Sequence, residues 1–403
     1  MSTEPQSAPK LGDRSLFSSL SAVAYLNHAA IAAPADPVRA AARAAVDDLS
    51  SRGTGAFEDW ETQRELLRAR LAELVGGQAS DIGFVPNTSV GLNHVAWSVP
   101  WRRGDRIVVV RGEYPSNVVP WQRVAERFEL QLEFLDVAPF AAAQGPDYAP
   151  LEAALSRGPR LLAVSAVQFQ SGLRMPIEAI GRRCRALGVL SCVDAVQACG
   201  AVPLEAAARH VDFIVSGSHK WLMGIDGAGF LYAGPEAMAA LRPAYVGSMS
   251  YAGATDMLFE GPGHLRYDRA LVAEPAVFET GMVGMAAFAA LGASVELLLE
   301  LGIEPIFDHI QRYHDALEPP LIERGFRSLR APDPPRRSGI LSLEPPAAIH
   351  AHELAPALCD LGVLCSSPDG KLRFAPHWPN ALSEVPQILD ALDAALPQLP
   401  AAG

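Results

Sequence analysis

The sequence predicts an α/β protein with a large domain built on a mostly parallel sheet, followed by a smaller α+β domain. Short, nearly continuous apolar runs rich in β-branched residues recur up to about residue 255, and helical patterns separate several of them. Such runs are typical of parallel strands that are buried on both faces. After about residue 280 a long helical pattern and short elements joined by prolines replace this alternation. We therefore expect a flexible leader over residues 1–20, a large domain over 21–280 and a small domain over 281–403.

Six apolar runs are predicted to be strands: Ile82–Val85, Arg106–Val110, Leu161–Ser165, 189–193, 213–216 and 229–232. Helical spacing of apolar residues predicts helices over 90–97, 118–128 and 176–187 in the large domain. In the small domain it predicts helices over 284–301 and near Val385–Ala395. Glu296 and Glu300 interrupt the longest apolar stretch, which favours a buried helix over a membrane span.

Composition argues against several classes of protein. The formal net charge is −12 and no cluster of Lys and Arg stands out, so a nucleic-acid partner is not expected. The five cysteines form no C-x-x-C pair, which predicts neither a disulfide framework nor a zinc site and fits a cytoplasmic location. No secretory signal is visible in the first twenty residues. His350 and His352 have no third ligand nearby, so no metal site is predicted.

Two residues that follow apolar runs have chemistry suited to a carbonyl cofactor. Ligands of open parallel sheets bind beyond the carboxyl ends of the strands. Lys220 follows the run 211–215, and a lysine there can form an imine with a carbonyl group. Asp194 follows the run 189–193 and could keep a pyridine nitrogen protonated, with Gln197 three residues further on. The plain alternatives are a surface lysine and an aspartate that caps a helix.

Two further places could bind anions. Thr88 and Ser89 stand at a predicted helix start, where free N–H groups attract an anion. Arg373 offers a planar fork for a carboxylate. The alternatives are an ordinary helix cap and a surface arginine. A nucleotide-binding protein is disfavoured because no G-x-G-x-x-G or Walker-type loop follows an early strand. A non-catalytic descendant is disfavoured because Lys220 and Asp194 are both present.

Together these residues resemble the class V aminotransferase family of fold-type I pyridoxal-phosphate enzymes. This family includes cysteine desulfurases, isopenicillin-N-epimerase-like proteins and kynureninases. Asp194 precedes Lys220 by 26 positions, the anion-binding loop lies about a hundred residues earlier, and Arg373 comes near the end. The resemblance runs from about Tyr25 to Leu396. It implies an aspartate-aminotransferase-like fold with a seven-stranded, mostly parallel sheet, bound pyridoxal 5'-phosphate, an amino-acid substrate and a homodimer with active sites at its interface.

The resemblance also assigns a role to each site residue. Lys220 would form the Schiff base and move protons, Asp194 would pair with the pyridine nitrogen, and Gln197 would reach the phenolic oxygen. The residues that would hold the phosphate are Thr88, Ser89, Ser218 and His219. For the aromatic contact to the ring, the family position falls at Pro115, and we expect the neighbouring Tyr114 to supply it. Arg373 would bind the substrate carboxylate and His28 would lie at the entrance, while Arg52 could reach the partner's site.

Three departures from the desulfurase pattern narrow the reaction. The segment before Arg373 is short, and Cys365 ends an apolar run, so both it and Cys359 are expected to be packing residues rather than nucleophiles. Met282 replaces a threonine that contacts the partner's phosphate in relatives, so either Thr280 substitutes for it or this contact is lost. Phe169 replaces an asparagine that touches the ring oxygen, and Gln168 or Gln170 could compensate. We therefore predict transamination, with epimerisation or a cysteine or selenocysteine lyase reaction as the alternative.

Overall fold

The computed structural model describes residues 8–347 and 349–399. Its strands are β1 (Ala24–Tyr25), β2 (Ile82–Val85), β3 (Arg106–Val110), β4 (Gln131–Leu135), β5 (Leu161–Ser165), β6 (Leu190–Asp194), β7 (Phe213–Gly217), β8 (Gly229–Ala233), β9 (Arg327–Ser328), β10 (Leu341–Glu344), β11 (Val363–Leu364) and β12 (Leu372–Phe374). Its helices are α1 (Asp36–Arg52), α2 (Phe57–Val75), α3 (Thr88–Ser98), α4 (Val119–Phe128), α5 (Ala149–Leu155), α6 (Ile177–Ala186), α7 (Pro235–Ala240), α8 (Asp256–Phe259), α9 (Met285–Leu301), α10 (Ile303–Glu323), α11 (Ala351–Asp360) and α12 (Val385–Ala395).

A seven-stranded sheet forms the centre of the fold, with the strand order β2-β8-β7-β6-β5-β3-β4. Strand β8 runs antiparallel to both of its neighbours, and the other pairs are parallel. Both faces are covered: Leu162 and Val164 of β5 pack into one apolar cluster, whereas Leu161 and Ala163 pack into another. This period of two explains the near-continuous apolar runs. The expected α/β fold with a mostly parallel seven-stranded sheet is confirmed.

Of the seven strands in this sheet, the sequence analysis missed only β4, which lies at one edge. Its sequence, Gln-Leu-Glu-Phe-Leu, mixes polar and apolar residues, and only Leu135 is buried. The other four residues of β4 are exposed or only partly buried, so this strand lacks a continuous apolar run, whereas β2 at the opposite edge is buried at all four positions. The six predicted strands agree with the structure within one residue at each end.

Helix α3 approaches the sheet closely at Gly91. A Cβ atom on Gly91 would lie 2.4 Å from Cγ1 of Val215 in β7. We expect Gly91→Ala to lower the free energy of unfolding by about 1–3 kcal/mol, because the helix would have to move away from the sheet. Urea unfolding measures this change. Gly292→Ala in α9 is the matched control, since nothing lies within 4 Å of its added methyl group, and equal losses in both variants would contradict the packing argument.

The carboxyl-terminal part contains a three-stranded sheet in the order β12-β10-β9 and a separate apolar cluster. The chain's beginning contributes to this cluster, because β1 pairs in parallel with β11. Helix α9, by contrast, packs with α1 and α2. The proposed boundary at residues 280–281 stays a prediction.

Part of the expected flexible leader is packed against the protein. Leu16 and Phe17 are buried, and the ring of Phe17 lies 5.2 Å from that of Trp378. Arg14 donates to the carbonyl of Ala22 at 2.7 Å. The expectation of a loose segment is therefore wrong for residues 14–17, because the two large apolar side chains in this segment pack against the rest of the protein. Residues 1–7 lie outside the described residues.

Within the described part of the chain, no single helix has the length and apolar character needed to cross a membrane. Helices α9 and α10 together have the required length and apolar composition. The two helices are, however, bent by 78° relative to each other.

Candidate active site

A cavity of about 530 Å³ lies at the carboxyl ends of β6 and β7. Eight of the ten residues predicted for the site line it: Thr88, Ser89, Tyr114, Asp194, Gln197, His219, Lys220 and Arg373. They come from strand ends, from the start of α3 and from the carboxyl-terminal sheet. The fold therefore brings together residues that lie up to 285 positions apart in the sequence.

Lys220 follows the end of β7 and points into this cavity. The chain has three lysines, and the other two are Lys10 and Lys371. Within the described residues, Lys220 takes part in no ion pair. Burial lowers the pKa of Lys220 to about 8, although Asp194 raises this pKa and Arg373 lowers it further. The side chain is therefore a neutral amine in a substantial fraction of molecules near pH 8, as a nucleophile or proton acceptor must be.

Asp194 ends the neighbouring strand, β6, and is almost completely buried. Its Oδ1 accepts a hydrogen bond from the backbone N–H of Val196 at 2.9 Å, so it caps a turn and not a helix. Burial raises the pKa of Asp194 to about 7, while the Val196 N–H and Lys220 oppose this rise. A buried carboxylate of this kind gains stability from a cationic partner in the cavity.

The start of α3 forms one end of the cavity. Asn87 caps the helix, since its Oδ1 accepts from the N–H of Val90 at 2.9 Å. The Ser89 and Ser116 hydroxyls lie 2.8 Å apart, and the buried Thr88 hydroxyl has no partner among the described residues. Free N–H groups and an unpartnered hydroxyl at a helix start suit a phosphate. His219 lies beside them, and burial lowers its pKa.

Arg373 of β12 occupies another wall of the cavity. Its Nη1 donates to the carbonyl of Phe169 at 3.0 Å, and its Nε donates to the Ser366 hydroxyl at 3.1 Å. Within the described residues no carboxylate pairs with this guanidinium group, although it is buried. Burial lowers the pKa of Arg373 to about 10. A buried, unpaired cation of this kind favours an anionic ligand.

Two predicted residues lie outside the cavity lining. His28 is buried, with Nδ1 2.9 Å from the carbonyl of Ala375 and its ring 5.4 Å from that of His377. It is therefore buried outside the cavity lining, whereas the sequence analysis expected a residue at the entrance. Ser218 is also buried, and its hydroxyl donates to the carbonyl of Ile225. Neither side chain lines the cavity, and each has a protein partner, so their assigned roles stay predictions.

The amide groups near the cavity are largely occupied. Gln197 lines the cavity, yet its Nε2 donates to Ala29 at 3.0 Å and its Oε1 accepts from the Trp221 indole at 2.8 Å. Gln168 and Gln170, the expected substitutes for an asparagine, do not line it. Gln168 donates to Glu113 at 2.9 Å, and Gln170 donates to Asp369 at 3.0 Å. These hydrogen bonds hold both amides away from the cavity.

Tyr114 and Phe169 form an aromatic corner, with ring centroids 5.3 Å apart and planes at 85°. Nζ of Lys220 lies 5.4 Å from the centroid of the Tyr114 ring. Tyr114 is therefore close enough to contact a group attached to Lys220, whereas Pro115 does not line the cavity.

The sequence analysis missed Glu113, a buried glutamate next to Tyr114. Its burial raises its pKa, while hydrogen bonds from Ser165, Gln168 and Asn117 oppose the rise. Its position three residues after β3 was the available signal, because polar residues just beyond a parallel strand often face the ligand edge.

No cysteine lines the cavity in the part of the chain that the structure describes. Cys365 is partly buried, and burial raises its pKa to about 12, which disfavours the reactive thiolate. Cys359 is exposed on α11, so the expectation that it packs in the core is wrong. All five cysteines are free, and no cluster of potential metal ligands occurs among the described residues.

The fold is α/β, and its cavity contains a buried lysine with a lowered pKa just beyond a strand end. The model of the family described as "Aminotransferase class-V" matches residues 24–372, so the chain belongs to this family. The family is pyridoxal-phosphate-dependent, and the chain is accordingly an enzyme that uses this cofactor.

Several known proteins are similar to this chain. A probable cysteine desulfurase of Methanothermobacter thermautotrophicus is 31% identical over 64% of this chain and 62% of its own length. The isopenicillin N epimerase of Streptomyces clavuligerus is 28% identical over 81% of this chain and 83% of its own length. A C-DES variant with glycine covalently linked to its pyridoxal-phosphate cofactor has a similar fold, with a TM-score of 0.84 and 24% identity over 94% of this chain and 99% of that one.

Proposed function

We propose that this enzyme acts on an amino acid by transamination, with Lys220 moving the proton at the α-carbon. One observation carries the proposal: the unpaired amine of Lys220 lines the same cavity as the carboxylate of Asp194 and the unpaired guanidinium of Arg373. Transamination needs no reactive group beyond this lysine and a group that binds the substrate carboxylate. Bound pyridoxal phosphate supplies an electron sink that stabilises negative charge at the α-carbon.

The residues present fit this cofactor. The N–H groups and hydroxyls of Thr88 and Ser89, with His219 beside them, would hold its phosphate. Asp194 would stabilise a protonated ring nitrogen, and Tyr114 would contact the ring. Gln197 retains only one amide hydrogen for the ring oxygen, because its other polar positions are occupied.

Two steps depend on the chain's own cations. Arg373 would bind the substrate carboxylate and thereby place the α-carbon near Lys220. Lys220 would then accept the α-proton on Nζ and deliver it again, which requires the amine to be neutral. Burial favours this neutral form, and Arg373 adds to the effect.

The alternative is epimerisation or a cysteine or selenocysteine lyase reaction. The similarity to an isopenicillin N epimerase and to probable cysteine desulfurases supports this alternative as much as transamination. A mechanism that passes sulfur to a cysteine is disfavoured, because no cysteine among the described residues lines the cavity. Epimerisation would need a second proton donor on the opposite side of the α-carbon from Lys220.

We also propose a homodimer. A larger cavity of about 750 Å³ shares Ser89 with the candidate site and is lined by Thr280 and the exposed Met282. In such a dimer, a Thr280 segment of the partner subunit that entered this cavity would lie close to Ser89. Arg52 is instead paired with Asp48 and Asp59 at 2.6 and 2.7 Å, so reaching a partner's site would require breaking both pairs.

A cytoplasmic location stays a prediction from the cysteine content.

A substrate screen tests the proposed reaction. The cofactor-loaded enzyme is incubated with each amino acid, with and without a keto-acid acceptor, and the products are separated by chiral chromatography. Transamination predicts a new amino acid that forms only when the acceptor is present. A D-amino acid without acceptor would instead establish epimerisation, and release of sulfide or selenide from cysteine or selenocysteine without acceptor would establish a lyase reaction.

Replacing Arg373 should weaken substrate binding and leave the cofactor in place. We expect Arg373→Leu to raise KM for the amino acid about 100-fold, because the carboxylate loses a buried, charge-assisted partner. Steady-state kinetics measures KM, and the visible absorption of the bound cofactor checks loading. Arg327→Leu removes an exposed arginine that pairs with Glu344 and should leave KM unchanged. An unaltered KM in Arg373→Leu would contradict the assignment.

A further inference from the structure

The carboxylate of Glu113 connects three segments that carry site residues. Its Oε1 accepts from the backbone N–H of Ser165 at 2.8 Å and from Nε2 of Gln168 at 2.9 Å. Its Oε2 accepts from Nδ2 of Asn117 at 3.1 Å and from the Ser165 hydroxyl. Three of these donors are N–H groups, a pattern that suits an ionised carboxylate.

The bonds from Ser165 and Gln168 hold neighbours of candidate site residues. Ser165 ends β5 and is paired in register with Asp194 of β6. Gln168 directly precedes Phe169, whose carbonyl accepts from Arg373. Glu113 itself directly precedes Tyr114. The carboxylate of Glu113 is thus linked, through one neighbouring residue or segment in each case, to Asp194, Arg373 and Tyr114.

The same network continues to the anion-binding end of the cavity. Oδ1 of Asn117 accepts from the indole of the fully buried Trp121 at 3.1 Å, which anchors the turn that starts at Pro115. Ser116 in this turn lies 2.8 Å from the Ser89 hydroxyl. The turn is therefore tied to Glu113 on one side and to the start of α3 on the other.

We propose that Glu113 is a positioning residue, whose buried carboxylate holds the segments of Tyr114, Asp194 and Arg373 in one arrangement. This inference rests on the proposed function of these three residues. Glu113 does not line the cavity, so it acts through its neighbours and not on the substrate. Enclosing a carboxylate is costly, and an apolar side chain would fill such a space with less penalty. Its negative charge also disfavours ionisation of Asp194, which adds an electrostatic link to the geometric one.

The test uses Glu113→Gln in the cofactor-loaded enzyme. Glutamine has nearly the same shape, but one of the two acceptor oxygens becomes an NH2 group. That group cannot accept the hydrogen bonds that the carboxylate oxygen receives from its donors. We expect the dissociation constant of the amino-acid substrate, measured from the change in the visible cofactor band, to rise about tenfold. We also expect the pH midpoint of that band without substrate to fall, since a nearby negative charge is lost.

Glu384→Gln is the matched control. Glu384 is also buried and accepts from an amide, Nδ2 of Asn380 at 2.9 Å, but it directly precedes α12 and does not line the cavity. A merely structural role for Glu113 predicts that both variants lower the melting temperature and that neither changes the dissociation constant or the midpoint. That outcome would overturn the inference.

Gln168→Leu provides a second variant if Glu113→Gln does not fold. It leaves Glu113 three of its four donors and removes the bond next to Phe169. A several-fold increase in the dissociation constant is expected, and an unchanged constant would overturn the inference. If the wild-type enzyme shows no cofactor band that depends on Lys220, the proposed function fails; if the band is present and neither variant alters it, only the role of Glu113 fails.

Discussion

Replacing Lys220 with alanine should abolish turnover and the visible band of the lysine-bound cofactor. We expect kcat to fall by about 10³-fold or more, because the cavity loses both its nucleophile and its proton acceptor. The change should not be compensated by another lysine. Lys10 and Lys371 are the only others in the chain, and neither lines the cavity. Absorption spectra and single-turnover kinetics measure the two effects.

Chemical trapping of the bound cofactor tests whether it is attached to Nζ of Lys220. Borohydride reduction of the loaded wild-type enzyme should attach the cofactor to the peptide that contains Lys220, as detected by mass spectrometry. Lys371→Ala, which removes a lysine near Asp369, is the control and should retain both the band and the activity. Cofactor found on Lys371 or Lys10, or a Lys220→Ala variant with wild-type turnover, would exclude the assigned role.

Replacing Asp194 with asparagine should have the second largest effect. The asparagine keeps the size of the side chain but cannot provide the negative charge that would stabilise a protonated ring nitrogen. We expect kcat to fall about 100-fold or more, with a much smaller change in KM. The pKa of Lys220 should fall further in the cofactor-free protein, because Asp194 raises it in the wild type. The pH dependence of cofactor capture by Lys220 measures this shift.

Asp212→Asn is a stringent control for that prediction. Asp212 lies just before β7, at the opposite end of the strands from Asp194, and accepts from the N–H and hydroxyl of Ser191, each at 2.8 Å. Loss of this charge should leave kcat and the capture profile unchanged. Similar losses of kcat in both variants would indicate a general effect of charge on the sheet and would contradict a specific role for Asp194.

The inner strands and several site residues could be predicted from local sequence. Strand β5 has five buried residues in a row, and Asp194 and Lys220 each follow such a run. Burial on both faces of a parallel sheet requires apolar residues at every position, so the strands are visible as continuous runs. Because ligands of such sheets bind beyond the carboxyl ends, the polar residues that follow were also identifiable.

Contacts between distant segments could not be predicted in the same way. In the sequence, Leu16 and Phe17 look like part of a loose leader. In the fold both are buried, and the ring of Phe17 packs against that of Trp378. His28 resembles a ligand-binding residue until the carbonyl of Ala375 occupies its Nδ1. Each of these outcomes depends on a partner more than 340 positions away in the sequence.

The sequence by itself determined the α/β class, the inner strands and the chemical types of residue available at their ends. The tertiary structure alone decided which of those residues face one cavity, and it excluded His28 and Ser218 from its lining while revealing Glu113. The physical reason is that hydrophobic periodicity is a local property of the chain, whereas burial and hydrogen-bond partners depend on segments that meet only after folding. Glu113 and its partners Ser165 and Gln168, more than fifty positions apart, illustrate this difference.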